Sequence, residues 1–205
     1  MKRTLVAIII AAIMWFVLFS PWTTICLNFW ISMSVAAVIL IGLSLLTNKN
    51  IKHQLNFNVK AIIIGIVSAI VLWIVFYIGD FISAQLFDFA KSQVANIYNL
   101  RTGENSVFVA CLLFFLIAPA EELFWRGCIQ HKLSEKYGEW TGYFIAASIY
   151  GLVHIWSFNF MLITAALVCG GFWGLLYKYN KNIVTLIVSH ACWNTTIFVL
   201  LPIIQ

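Results

Sequence analysis

The chain has 205 residues, of which 63% are hydrophobic and only 9% charged, with nine tryptophans. A soluble domain of this length buries its core with far less apolar residue, so a wholly soluble fold is excluded. The formal charge of +5 does not point to nucleic acid, because the basic residues are scattered through loops rather than gathered on one face with aromatics.

Apolar segments recur at 4–20, 25–46, 60–86, 106–131, 140–157, 159–178 and 182–203. Each is long enough to cross a hydrocarbon core of roughly 30 Å as a helix. The reading is an all-α, polytopic transmembrane bundle of about seven spans. The opening MKRTLVAIII resembles a signal peptide, but PWTT stands where a small-residue cleavage site is needed, so it reads as a retained first span. Residues 1–104 hold spans one to three and a connecting segment. Residues 105–205 hold the remaining spans, and the two parts form one integrated membrane domain. Spans three and four exceed the minimum length and are expected to tilt. The segment 87–105 reads as an amphipathic or irregular connection. No internal repeat is visible, which removes the inverted-repeat logic of secondary transporters. In GGFWG, residues 170–174, the small residues predict close helix packing. The five cysteines, Cys26, Cys111, Cys128, Cys169 and Cys192, form no C-x-x-C pair and read as small core residues.

Loop charge orients the bundle. Lys2, Arg3, Lys49, Lys52, Lys60, Lys132, Lys136, Lys178 and Lys181 fall on one side if seven spans alternate, and only Lys91 and Arg101 fall on the other. The N-terminus is therefore expected in the cytoplasm. The small size suggests a bacterial cytoplasmic membrane.

Ionisable groups inside spans cost several kcal/mol unless paired or hydrated, so they are functional candidates. They are Asp80, Glu121, Glu122, Arg126, His154 and His190, joined by the strong hydrogen-bonding Asn194. Glu122 and Arg126 stand four apart on one helical face, within ion-pair reach. Glu121 points about 100° away from Glu122, so Arg126 does not serve both carboxylates. Pro119, just before, is expected to loosen the helix and admit water. A carboxylate there is a candidate general base. His190 and Asn194 also stand four apart and share a face. Helix rise puts Glu121 about 16 Å from Lys132 and His190 about 13 Å from Lys181, which predicts one hydrated cavity opening towards the cytoplasmic side. Asp80 reads as a snorkelling or helix-end carboxylate, and His53 and His131 as solvated loop residues.

Two chemistries fit this set. In one, Glu121 and His154 activate a water while His190 and Asn194 donate to an oxyanion. In the other, Glu121, His154 and His190 ligate a Zn²⁺ whose bound water attacks. Both hydrolyse an amide. The chain has no H-E-x-x-H and no G-x-S-x-G.

EELFWR fits an E-E-x-x-x-R motif, YGLVH an aromatic-x-x-x-H motif, and HACWN an H-x-x-x-N motif. In order and spacing they resemble the CPBP family of intramembrane proteases, which includes type II CAAX prenyl endopeptidases and bacterial proteins tied to bacteriocin processing or self-immunity. The resemblance covers about residues 105–200. It implies a membrane-embedded endopeptidase with Glu121 as base, His154 as its partner, and His190 and Asn194 as the oxyanion site. Glu122, Arg126 and Tyr150 would support the site, Tyr150 standing where the motif usually has Phe. The family is described both as metalloproteases and as metal-independent glutamate proteases, so the resemblance implies either no cofactor or Zn. Expected partners are the bilayer and a peptide or membrane-protein substrate. Two further classes fit the same residues: a bacteriocin-binding or immunity protein on this fold, and a proton-coupled transporter.

Overall fold

The computed structural model describes residues 2–24 and 27–203, and Cys26 lies outside the described residues. Helices account for almost all of it, with no strand among the described residues. Besides the short turns Pro21–Thr24 and Ile51–Gln54, they are in chain order α1 (Lys2–Phe19), α2 (Phe29–Thr47), α3 (Val59–Leu86), α4 (Ala90–Asn99), α5 (Ser106–Tyr137), α6 (Glu139–Leu152), α7 (Phe160–Asn180) and α8 (Ile183–Leu200). Five of them start at an asparagine. The side chains of Asn28, Asn58, Asn105, Asn159 and Asn182 each accept from a backbone N–H in the first turn that follows. Such caps satisfy orphan donors where the chain enters an apolar medium.

Six helices, α1, α2, α3, α5, α7 and α8, are long and apolar enough to cross a membrane. The protein is an integral membrane protein. The expected span at 140–157 is shorter: α6 has 14 residues and continues as the 3₁₀ turn Val153–Ser157. It nevertheless runs from one end of the bundle to the other. At its start Glu139 pairs with Lys181, and just past its end Phe158 packs on Trp22. Isoleucines along α3, including Ile63, Ile66 and Ile70, are exposed, as suits a lipid-facing surface.

Loop contacts sort the two ends. At the first end Asn182 donates to the Asn56 carbonyl and Tyr177 to Gln54. At the second, Asn28 donates to Glu104, Asn159 to the Gln93 carbonyl, and Trp30 to the Leu100 carbonyl. The first end carries the lysine-rich loops. The connecting segment 87–105 contains a helix, α4, which packs against both α7 and α3 at the second end.

The centre of α5, Ala118–Phe124, is enclosed by α2 and α8. Small residues set the closest approaches. A side chain at Gly65 of α3 would stand 2.7 Å from Val188 of α8. In GGFWG, one at Gly170 would stand 3.0 Å from the Ala147 carbonyl and one at Gly174 3.1 Å from Gln130 and Tyr143, so the expected close packing falls between α7 and its neighbours. Cys111, Cys128, Cys169 and Cys192 are free thiols; Cys128 and Cys169 are core residues as expected, Cys192 is half-buried, and Cys111 is exposed instead. His131 departs from expectation. It lies within α5, half-buried, with Nδ1 3.0 Å from the Tyr177 hydroxyl and Nε2 3.1 Å from Glu135.

Candidate active site

α5 does not run as an ideal helix through the site. Leu113–Ile117 and Trp125–Gln130 are π-helical turns on either side of the segment that holds Pro119, Glu121 and Glu122. Proline has no N–H to give and crowds the preceding turn, so the ladder widens beside it. A widened turn leaves carbonyls short of helical partners. The Gly127 carbonyl accepts instead from Asn48 at 2.7 Å and from Gln54 at 3.1 Å.

The two glutamates have separate surroundings. Glu122 is fully buried, and its Oε1 accepts from Arg126 at 2.8 Å and from His190 Nδ1 at 2.7 Å. A carboxylate only accepts, so this contact fixes the proton on His190 Nδ1 and leaves Nε2 at the other edge of the ring. Arg126 also donates to the Cys169 carbonyl and lies over the rings of Tyr150 and Trp173. Trp173 stacks on His190, with centroids 3.8 Å apart, and gives its indole N–H to Ser189. A guanidinium held by a carboxylate, a carbonyl and two ring faces buries its charge at lower cost, although Glu122 Oε2 is enclosed without a partner among the described residues. Ser189 is thereby occupied, since it also accepts from Ser68 at 2.9 Å.

Glu121 turns the other way, into a cavity of about 360 Å³. Its Oε2 accepts from the Tyr150 hydroxyl at 2.9 Å, and its Oε1 has no hydrogen-bond partner among the described residues. Tyr150, His154, His190 and Asn194 line the same cavity, whereas Glu122 and Arg126 lie behind its wall. α5, α6 with the 3₁₀ turn that follows it, and α8 thus bring together Glu121, Glu122, Arg126, Tyr150, His154, His190 and Asn194, and Asp80 of α3 lines the same cavity.

The cavity lies towards the second end of the bundle. Phe29, Phe87, Tyr98 and Phe160, all at that end, belong to its wall, and none of the basic residues of the first end does. The expectation of a cavity opening towards the lysine-rich side is corrected. Helix rise gave the depth of each residue but not which ends splay apart, and here α3 and α7 face each other across the space that α4 bridges.

His154 also differs from expectation. Its Nδ1 donates to the Tyr150 carbonyl at 2.9 Å, and its Nε2 accepts the indole N–H of Trp15 at 3.0 Å. Phe19, also from α1, packs beside the ring. Both nitrogens are engaged, and neither meets Glu121. The possible Zn²⁺ set of Glu121, His154 and His190 does not fit this arrangement. A ligating imidazole needs a free lone pair. Among the described residues, moreover, no three His, Cys, Asp or Glu side chains are grouped as metal ligands.

Trp15 and Trp173 were missed in the sequence. Both stand in apolar runs where tryptophan reads as core or interface. Only the partner across the helix boundary distinguishes them, and no sequence spacing encodes it.

A polytopic helical bundle with a buried ionic cluster beside a carboxylate-lined cavity defines a membrane-embedded protein with the layout of an enzyme. Residues 103–196 match the family model of type II CAAX prenyl endopeptidase Rce1-like proteins, in agreement with the motif resemblance. The match supports a CAAX-type intramembrane protease. No curated protein and no solved structure matches the chain.

Proposed function

We propose that the chain is an intramembrane endopeptidase of the glutamate type, in which Glu121 activates water against a peptide carbonyl held by His190 and Asn194. The observation that carries this reading is the division of labour between adjacent glutamates. Glu122 spends its Oε1 on Arg126 and His190 behind the wall, with Oε2 enclosed by protein, while Glu121 keeps one oxygen free in the cavity.

Water on Glu121 Oε1 loses a proton to the carboxylate as its oxygen bonds to the carbonyl carbon. The resulting oxyanion receives hydrogen bonds from the Asn194 carboxamide and from His190 Nε2. For Nε2 to donate, His190 must be an imidazolium. Glu121 and Glu122 against Arg126 and a charged His190 then sum to zero. Collapse of the intermediate breaks the carbon–nitrogen bond, and the proton on Glu121 passes to the leaving amine. Tyr150 steadies the carboxylate through its hydroxyl. His154, tied to Trp15 and to the Tyr150 carbonyl, is a positioning residue in this scheme rather than the direct partner of the water.

The substrate class that suits this cavity is a peptide or membrane-protein segment with apolar side chains. The charge rule puts the lysine-rich end in the cytoplasm, so substrate would enter from the opposite half of the bilayer. Cysteines introduced at Lys49 and Arg101 and labelled from outside intact cells test this: only the Arg101 position should react. Cleavage is tested with the purified, solubilised protein on a quenched peptide library with and without prenyl cysteine, with and without chelator. Cleavage by wild type and none by Glu121→Gln is expected, with chelator without effect. Full activity in Glu121→Gln would exclude Glu121 as the base.

A further inference from the structure

One ionisable group in the cavity wall has no part in the proposed chemistry. Asp80 sits on α3, six residues before its last residue Leu86, about 9 Å along the axis. It lines the same cavity as Glu121, His190 and Asn194. Its Oδ2 is enclosed by protein and has no hydrogen-bond partner among the described residues. The donors around it are committed elsewhere. Ser83 donates to the backbone carbonyl of Asp80, and Tyr98 to the Ile197 carbonyl. Lys91 is near enough for its charge to be felt, but its side chain is exposed and forms no ion pair with Asp80.

A carboxylate near a helix end can be solvated at the interface without further purpose. That reading leaves a half-buried carboxylate in the cavity wall with no donor on either oxygen among the described residues. Such a group carries a desolvation cost that a donor reaching the oxygen not enclosed by protein relieves.

The surface between Asp80 and the reacting groups is apolar. Phe76, one turn back on α3, and Trp193, next to Asn194 on α8, both line the cavity and pack with centroids 4.7 Å apart; Trp173 lies behind them, 5.5 Å from Trp193 and stacked on His190. The cavity is therefore polar at two places and aromatic between them. We infer that Asp80 is a cation subsite, which holds an ammonium or guanidinium borne by an apolar peptide whose scissile carbonyl lies at His190 and Asn194. This rests on the reading of the cavity as the substrate site. The cation is a basic side chain or a free amino terminus, and both present the same chemistry to the carboxylate.

Binding can be read without cleavage, so the full-length Glu121→Gln protein in detergent serves as host. The probes are fluorescent apolar decapeptides in which one lysine is stepped along the chain, each paired with a norleucine counterpart, and each with a free or an acetylated amino terminus. At one register the lysine peptide, or the free-amine peptide if the terminus is the cation, should bind about tenfold tighter than its neutral counterpart, as expected for a charge-assisted hydrogen bond. Adding Asp80→Asn should remove that ratio, and adding Lys91→Ala should leave or enlarge it. The inference is overturned if no register prefers the cation, if the ratio survives Asp80→Asn, or if Lys91→Ala removes it as fully as Asp80→Asn. In that last case the carboxylate latches α4 instead. Loss of cleavage in wild type with the binding ratio intact would overturn the protease reading and leave the subsite standing.

Discussion

The two halves of the chain contribute different things to one site. The part that matches the protease family supplies Glu121, Glu122, Arg126, Tyr150, His154, His190 and Asn194. The part before it carries no motif, yet it gives Trp15 to His154, Asn48 and Gln54 to the Gly127 carbonyl, and Asp80 and Phe76 to the cavity. Reacting groups are concentrated in three short stretches. Their setting, including the tautomer of an imidazole and the polarity of a wall, comes from helices far away in sequence.

Substitutions in each half can break or sharpen this contrast. The largest effect is expected at Glu121→Gln, which should lower turnover by about 10²–10⁴-fold while the melting midpoint stays put. Arg126→Ala leaves Glu122 buried with only His190 for company, and breaking such a pair costs about 3–5 kcal/mol. Its effect should appear as a large fall in thermal stability in detergent, and adding Glu122→Gln should recover part of it. In the motif-free half, Gly65→Leu drives a side chain into Val188 and the Thr185 carbonyl. Overpacking of this kind costs about 1–3 kcal/mol, read by the same melt.

Trp15→Phe is the sharper test of the contrast. It keeps an aromatic ring and removes one hydrogen bond, worth about 0.6 kcal/mol on average within membranes, so stability should barely move. If α1 holds His154 for catalysis, kcat should fall several-fold with KM unchanged. Equal kcat would mean that α1 is packing alone. Least of all, Lys132→Ala breaks an exposed pair with Glu135 and should change neither melting nor turnover measurably.

Much of the site was legible because it is local. The Glu122–Arg126 pair and the shared face of His190 and Asn194 are four-residue spacings, which the helical period fixes whatever the helix packs against. The separation of Glu121 from Glu122 follows from the same period, and the structure turns one to the cavity and the other to Arg126. The departure at Pro119 was legible too, though its form, π turns on both sides of the segment, was not.

By itself the sequence determined a membrane-embedded helical chain, the charge asymmetry of its ends and the pairs within each helix. These depend on apolar length, loop charge and helical period, all properties of contiguous residues. Only the tertiary structure decided that His190 bonds Glu122, that His154 belongs to Trp15, and that the cavity lies at the end away from the lysines. Those outcomes depend on how each helix is rotated about its axis and which neighbours splay. Small residues and aromatic packing between distant segments set both.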